Sequence, residues 1–245
     1  MNLADRAVLV TGAGRRVGRA IALHLAERGA RVAVHYNESR AGADAVVSQI
    51  NAMGSGRAIA AQADLTDPDA LPALIGDVVT GFGGLDVLVN SAAVMNRTPF
   101  GSVTAGDWDA ILSLNLRAPF LLAQAAAPHL AAARGGGVVV NVADLSAYET
   151  WPAYIPHGLS KSGLVYMTRA LARVLAPSIR VNGVAPGTVL PPSDWSAPEI
   201  ERLRSTTPLQ RTGEPEDVAR AVAYLVESDY VTGETLVVDG GRLIR

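Results

Sequence analysis

Cysteine is missing from this chain of 245 residues, and lysine nearly so. The first absence excludes disulfides, thiolate metal sites and a cysteine nucleophile. Charged residues make up only 18% and aromatic residues 5% of the sequence, and the formal net charge is -2. That balance gives no reason to expect nucleic acid or an acidic membrane surface as partner. No segment reads as an apolar run long enough to span a bilayer, and the first residues lack the charged start and long apolar stretch of a signal peptide. A soluble, cytoplasmic protein is the expectation. Lys161 is the only lysine among 21 basic residues. In a chain that uses arginine elsewhere, it marks one position as a candidate for a compact ammonium on a flexible stem.

What the chain has in quantity is apolar residue, 49% of it, enough for a large core. Short β-branched runs alternate with longer amphipathic or alanine-rich stretches. The runs at 7–11, 31–36, 57–63, 87–90, 137–142, 179–184 and 235–238 predict strands. They are apolar at successive positions, as parallel strands covered on both faces require. Helices are predicted over 16–28, 41–53, 68–81, 107–133, 157–176 and 215–227. Strict alternation implies βαβ units with right-handed crossovers. The predicted class is α/β, a doubly wound parallel sheet of about seven strands with helices on both faces. No linker or repeat is visible, and the length suits one domain. The Pro- and Ser-rich stretch 191–198 reads as a loop or lid beside a site.

The first strand–helix junction reads Val10-Thr11-Gly12-Ala13-Gly14-Arg15-Arg16-Val17-Gly18. A strand feeding a glycine-rich turn that opens a helix offers free N–H groups and a positive dipole end to a pyrophosphate. Gly12 suits the tight turn and Gly18 the close packing of helix on strand. The second strand ends His35-Tyr36-Asn37, with no carboxylate at its tip to hold a ribose 2′-hydroxyl. Arg15 and Arg16 in the turn, with Ser39 and Arg40 after strand two, suit a 2′-phosphate instead. Glu38 runs against that choice. NADP(H) is the expected cofactor, held by Gly12, Gly14, Arg15, Arg16, Val17, Gly18, His35, Tyr36, Asn37, Ser39 and Arg40.

Further along come Asp64-Leu65, Asn90-Ser91-Ala92-Ala93, Asn115, Lys161, Pro186-Gly187-Thr188 and Asp239-Gly240-Gly241. With Thr11-Gly12 and Gly18, their order and spacing resemble the short-chain dehydrogenase/reductase family over essentially the whole chain. The resemblance implies a single Rossmann domain. It puts Asp64, with Leu65, at the adenine; Asn90, Ser91 and Ala92 beside the cofactor; and 186–188 against the nicotinamide amide. It also implies Lys161 at the ribose hydroxyls, and commonly a tetramer. Arg16 in place of the usual middle glycine, together with His35-Tyr36, resembles the pteridine reductase branch. Met95, Arg97, Tyr148 and Leu190 occupy family positions that line the substrate pocket. Trp151 and Trp195 flank the site and either stack on a flat substrate ring or pack as core or lid.

The family's Ser–Tyr–Lys set with a helper asparagine is altered here. Four residues before Lys161 stands His157 rather than tyrosine, and thirteen before that stands Asp144 rather than serine. The set becomes Asn115, Asp144, His157 and Lys161. An aspartate at this position also resembles the pteridine reductases, whereas the histidine does not. Four readings stay open: His157 as the acid, Tyr154 reaching in from the loop before the helix, loss of the redox step, or a proton relay through Asp144. Ser146 reads as a turn serine. His24 and His129 sit on helices without metal-ligand spacing, so no metal is expected. The expected function is NADPH-dependent reduction of a carbonyl or of a pterin-type C=N bond in a small-molecule substrate. A 3-oxoacyl or small-ketone reductase is the enzyme alternative, and a non-catalytic NADP sensor the alternative of another class. Apolar residues beyond one face of helices 107–133 and 157–176 predict self-association, which the family resemblance implies is a homotetramer.

Overall fold

Alternate residues of each strand go to opposite sides of a sheet. In β1 (Ala7–Val10), Val8 and Val10 enter one apolar cluster while Ala7 and Leu9 enter another. β4 (Val87–Asn90) divides in the same way, with Val87 and Val89 on one side and Leu88 on the other. This two-sided burial is what the uninterrupted apolar runs encode. The computed structural model describes all residues except 55–56, 192–195 and 245. Among the described residues the sheet has seven parallel strands in the order β3-β2-β1-β4-β5-β6-β7. The others are β2 (Arg31–Tyr36), β3 (Arg57–Gln62), β5 (Gly137–Val142), β6 (Ile179–Pro186) and β7 (Thr235–Val238).

Helices α1 (Arg16–Glu27), α2 (Arg40–Ala52) and α8 (Pro215–Glu227) bury Ile21, Leu25, Val46, Ile50, Val222 and Leu225 on one face of the sheet. On the other face lie α3 (Ala70–Phe82), α5 (Ala118–Ala131) and α6 (Ile155–Leu175), contributing Leu74, Val78, Leu122, Leu130 and Ala172. The result is a single-domain Rossmann-like fold. The chain lays β2 and β3 to one side of β1, then crosses back to place β4 on the other. A crevice opens at the carboxyl ends of strands at such a reversal. Thr11 joins its two sides, its hydroxyl oxygen accepting from the N–H groups of Ser91 at 2.9 Å and Ala92 at 3.0 Å.

Four sequence expectations are corrected. The single helix at 107–133 is two helices, α4 (Ala105–Leu112) and α5, joined through a π-helical turn at Ser113–Arg117. A capping box of Thr104 and Asp107 starts α4 earlier than its apolar pattern does. Helix α6 begins at Ile155, with Pro156 inside its first turn, where the missing N–H costs nothing. A further helix, α7 (Ala197–Thr206), begins inside the stretch read as a loop; residues 192–195 of that stretch lie outside the described residues. Contrary to the sequence reading, the run Ala105–Ala131 is by length and composition apolar enough to cross a membrane, an 18-residue window of it having mean hydropathy 1.3. Its Ile111, Leu122, Ala126 and Leu130 are instead buried within this fold.

Candidate active site

The crevice has a nucleotide end and a chemical end. At the first, Gly12 has φ +64, and a Cβ there would stand 3.0 Å from Cα of Ala92. A Cβ on Gly18 would collide with the carbonyl of Gly12. Both positions therefore need glycine, as the sequence predicts. No side chain caps the N-terminus of α1, so its N–H groups remain open to an anion. Arg15 precedes the helix and is exposed, and Val17 is half-buried in its first turn. Arg16 takes a left-handed φ of +51, and its guanidinium donates to the Leu190 carbonyl at 3.3 Å. That bond ties the phosphate turn to the segment after β6.

The residues expected at the nucleotide divide into two groups. Gly14, Asn37, Ser39, Ser91, Ala92 and Asp64 line the rim or are exposed there, and Arg40 pairs with Asp44 at 3.3 Å. Thr66 donates from both its hydroxyl and its N–H to Asp64, holding that carboxyl below its ordinary range. His35, Tyr36 and Leu65 instead point into the fold. His35 is buried, its Nδ1 accepting from Gly12 N–H at 3.0 Å and its Nε2 donating to the Ala63 carbonyl at 3.1 Å. Tyr36 and Leu65 belong to the apolar clusters on the two faces of the sheet. Asn90 donates to Asn141 at 2.9 Å, and Asn141 donates to Thr168 at 2.9 Å, stitching β4, β5 and α6. Gly187 lies so close to Asp239 that a Cβ would come within 2.9 Å of it, which docks the 186–188 strap on the Asp239-Gly240-Gly241 turn.

At the chemical end, the end of β5, the π-helical turn and α6 bring Asn115, Asp144, His157 and Lys161 together. His157 Nε2 lies 2.7 Å from Asp144 Oδ2, and its Nδ1 lies 3.1 Å from the Val94 carbonyl. Asn115 clamps that same residue, accepting from Val94 N–H and donating to its carbonyl, both at 2.9 Å. Its amide nitrogen is also 3.1 Å from Ser160 Oγ and 3.3 Å from His157 Nδ1. Asp144 Oδ1 accepts from both the N–H and the hydroxyl of Ser146. Burial pushes the Asp144 carboxyl up. The hydrogen bond from His157, the Lys161 charge and the Ser146 hydroxyl outweigh it and hold the group below its ordinary value. Lys161 donates to the Val142 carbonyl at 2.9 Å, and burial lowers its ammonium's value against the pull of Asp144.

Tyr154 stands just before α6, half-buried, and packs edge-on to Trp151 at 6.3 Å. Trp151 lies nearly parallel to His157 with ring centroids 6.5 Å apart, and its indole N–H donates to Glu149 at 3.1 Å. Met95, Arg97 and Tyr148 are exposed around this region and Leu190 is half-buried, while Trp195 is outside the described residues. Sequence reasoning missed the Val94 carbonyl, Ser160, Glu149 and Arg242. Arg242 donates to Thr188 at 3.3 Å and faces Glu149 at 3.7 Å, linking the strap to the Trp151 loop. Glu149 and Arg242 are too far apart in sequence for any spacing rule to join them. Ser160 had a signal, its place one turn after His157 on the same helix.

The parallel sheet order and the glycine cradle at a helix N-terminus define a Rossmann-type dinucleotide fold, with a buried lysine in the polar site at the end of β5. Two further features fit a bound dinucleotide. Asn90 Oδ1 is buried without a partner among the described residues, and the Lys161 ammonium has hydrogens beyond the one given to Val142. A family model described as enoyl-(acyl carrier protein) reductase matches residues 12–242. A Streptomyces violaceoruber protein assigned as ketoacyl reductase 2 of the granaticin polyketide synthase is 40% identical over 240 residues, 95% of this chain and 94% of that one. The 3-oxoacyl-(acyl-carrier-protein) reductase of Staphylococcus aureus is 37% identical over 241 residues, 96% and 97% of the two chains. A dehydrogenase/reductase from Sinorhizobium meliloti 1021 superposes with a TM-score of 0.92 at 37% identity, covering 98% of this chain and 97% of that one. The chain belongs to the short-chain dehydrogenase/reductase family of oxidoreductases.

Proposed function

We propose that this protein is a cytoplasmic NADPH-dependent reductase of a small carbonyl substrate, with Asp144, His157 and Lys161 replacing the family's Ser–Tyr–Lys set. The observation that carries it is the convergence of Asn115, Asp144, His157 and Lys161 at the end of β5. A site that had lost its chemistry has no need to keep an imidazole–carboxylate pair and a buried ammonium together. The resemblance to 3-oxoacyl and ketoacyl reductases favours a ketone over other acceptors.

NADPH, when bound, supplies the hydride. The chain's own residues do the rest. Gly12, Gly18 and the open α1 N-terminus would receive the pyrophosphate, and Arg15, Ser39 and Arg40 would meet a 2′-phosphate. Lys161 would hold the ribose, the 186–188 strap would orient the nicotinamide amide, and the Asp144–His157 pair would provide the proton. Met95, Arg97, Tyr148, Trp151 and Leu190 surround the substrate. Asp144 and Arg16 favour one second reading, reduction of a pterin-type C=N bond, because a carboxylate suits a ring that presents N–H groups.

The test is NADPH oxidation with a panel of 3-oxoacyl thioesters, small ketones and pterins. Turnover of a ketone or thioester is the expected result. Turnover of pterins alone moves the assignment to the C=N branch. Tight NADPH binding with no turnover on any member makes the protein a nucleotide sensor. The apolar faces described below lead us to propose, in addition, a homotetramer.

A further inference from the structure

Asn115 has two amide hydrogens and three neighbours. The Val94 carbonyl at 2.9 Å and Ser160 Oγ at 3.1 Å are nearer than His157 Nδ1 at 3.3 Å. Ser160 spends its own hydrogen on the His157 carbonyl at 2.6 Å, so its oxygen is free to accept from Asn115. That accounts for both amide hydrogens and leaves His157 Nδ1 to donate to Val94. On the other side of the ring, Nε2 faces the Asp144 carboxylate. Assigned from this network, both ring nitrogens carry protons and the residue is an imidazolium paired with a carboxylate. Among the described residues, the titratable group facing the pair is Lys161, from α6; the β4 loop, the π-helical turn and the 145–151 loop face it with Val94, Asn115, Ser146 and Trp151, which do not titrate.

Access decides which member meets the substrate. Asn115, His157 and Lys161 are 1%, 2% and 4% exposed, whereas the Asp144 side chain keeps 20% of its surface. We propose that Asp144 is the group that touches the substrate, and that His157 is a buried proton reservoir that supplies it without contacting the substrate itself. This rests on the reductase reading above. The His157 Nε2 proton shifts to Asp144 Oδ2, giving a neutral imidazole and a carboxylic acid. As a hydride from the reduced nicotinamide forms the new C–H bond, the C=O π pair moves onto oxygen, and that oxygen takes the carboxyl proton. Asp144 is left as carboxylate and His157 neutral, to be recharged from solvent through Asp144. Tyr154 takes no part. His157 is thus a positioning and storage residue, and Asp144 the catalytic acid.

The decisive experiment compares wild type, Asp144→Asn, His157→Gln and Tyr154→Phe on a substrate the wild type turns over, with NADPH binding as the check on folding. General acids contribute about 100-fold or more. Asp144→Asn is expected to lose at least about 100-fold in kcat at every pH with NADPH affinity kept. His157→Gln is expected to keep activity at acid pH, where Asp144 takes its proton from water, and to lose it as the carboxyl ionises. Independently of activity, 15N spectra of the free protein should show two protonated nitrogens on His157, and one after Asp144→Asn. The relay is overturned if Asp144→Asn keeps wild-type kcat while His157→Gln is dead throughout, if Tyr154→Phe abolishes turnover, or if His157 shows a single protonated nitrogen. A wild type inert on the whole panel instead overturns the reductase reading, and the relay with it.

Discussion

His35 joins three pieces of the nucleotide end with one ring, bridging Gly12 of the phosphate turn and Ala63 at the end of β3. Burial, outweighing its hydrogen bond to Ala63 and the nearby Asp64 charge, brings its imidazole from 6.5 down to about 4. A depressed folded value means that the unfolded chain binds more protons between those two values. The contribution to stability is therefore whole above pH 6.5 and is lost as pH falls through about 4. The shift corresponds to roughly 3 kcal/mol. Denaturant titrations of wild type and His35→Asn across this window should show the wild type losing about that much more than the variant. Parallel curves would show that His35 is not the group responsible. The sequence placed His35 beside the nucleotide but not its direction. A strand residue next to a turn points either outward or inward, and only the pairing of β2 with β3 puts Ala63 within its reach. The same limit applied at the chemical end. Spacing along α6 made His157 and Lys161 legible, while the Val94 carbonyl arrives from a different loop.

At the scale of elements, the alternation of strands and helices was legible because two-sided burial leaves unbroken apolar runs. The exceptions are the elements least dependent on apolar pattern. Helix α7 buries Leu203 alone among its residues, so periodicity says little there. Its signals were Ser196 and Glu199 at capping-box spacing, with Pro198 between them. The π-helical turn was hidden because Leu112, Leu114 and Leu116 continue the apolar character of the helices on either side. What sustains it is Asn115, whose side chain satisfies both backbone groups of Val94. Such turns are tolerated where a function uses them. Asn115→Ala leaves the Val94 N–H without its acceptor and takes one donor each from the Val94 carbonyl and the Ser160 oxygen. The expected cost is about 1–3 kcal/mol, read from the denaturation midpoint at unchanged m-value. A loss of only a few tenths would mean that water replaces the amide freely and that the turn is held by its apolar neighbours.

At the scale of the whole molecule, two apolar faces are left uncovered among the described residues. On one, Phe120 of α5 and Tyr166 of α6 are 44% and 75% exposed, at the edge of a cavity of about 550 Å3 shared with Leu112, Leu116 and Met167. On the other, Leu236 of the edge strand β7 and Ile244 near the chain's end are exposed beside a second cavity of about 490 Å3. Isolated apolar side chains are ordinary on a surface, but cavities rimmed by them are not. If each of these faces closes on a copy of itself, the two together generate a dihedral tetramer, whereas one face alone would stop at a dimer. Burying a carboxylate in an apolar interface without a partner is prohibitive. Tyr166→Glu should therefore abolish the α5–α6 contact and leave the β7 contact, so that light scattering finds a tetramer in the wild type and a dimer in the variant, with helical circular dichroism preserved. Leu236→Glu should do the converse and also give a dimer. The two substitutions together should give monomers. A wild type that is monomeric at micromolar concentration, or a Tyr166→Glu variant that remains tetrameric, would show that these faces have some other use.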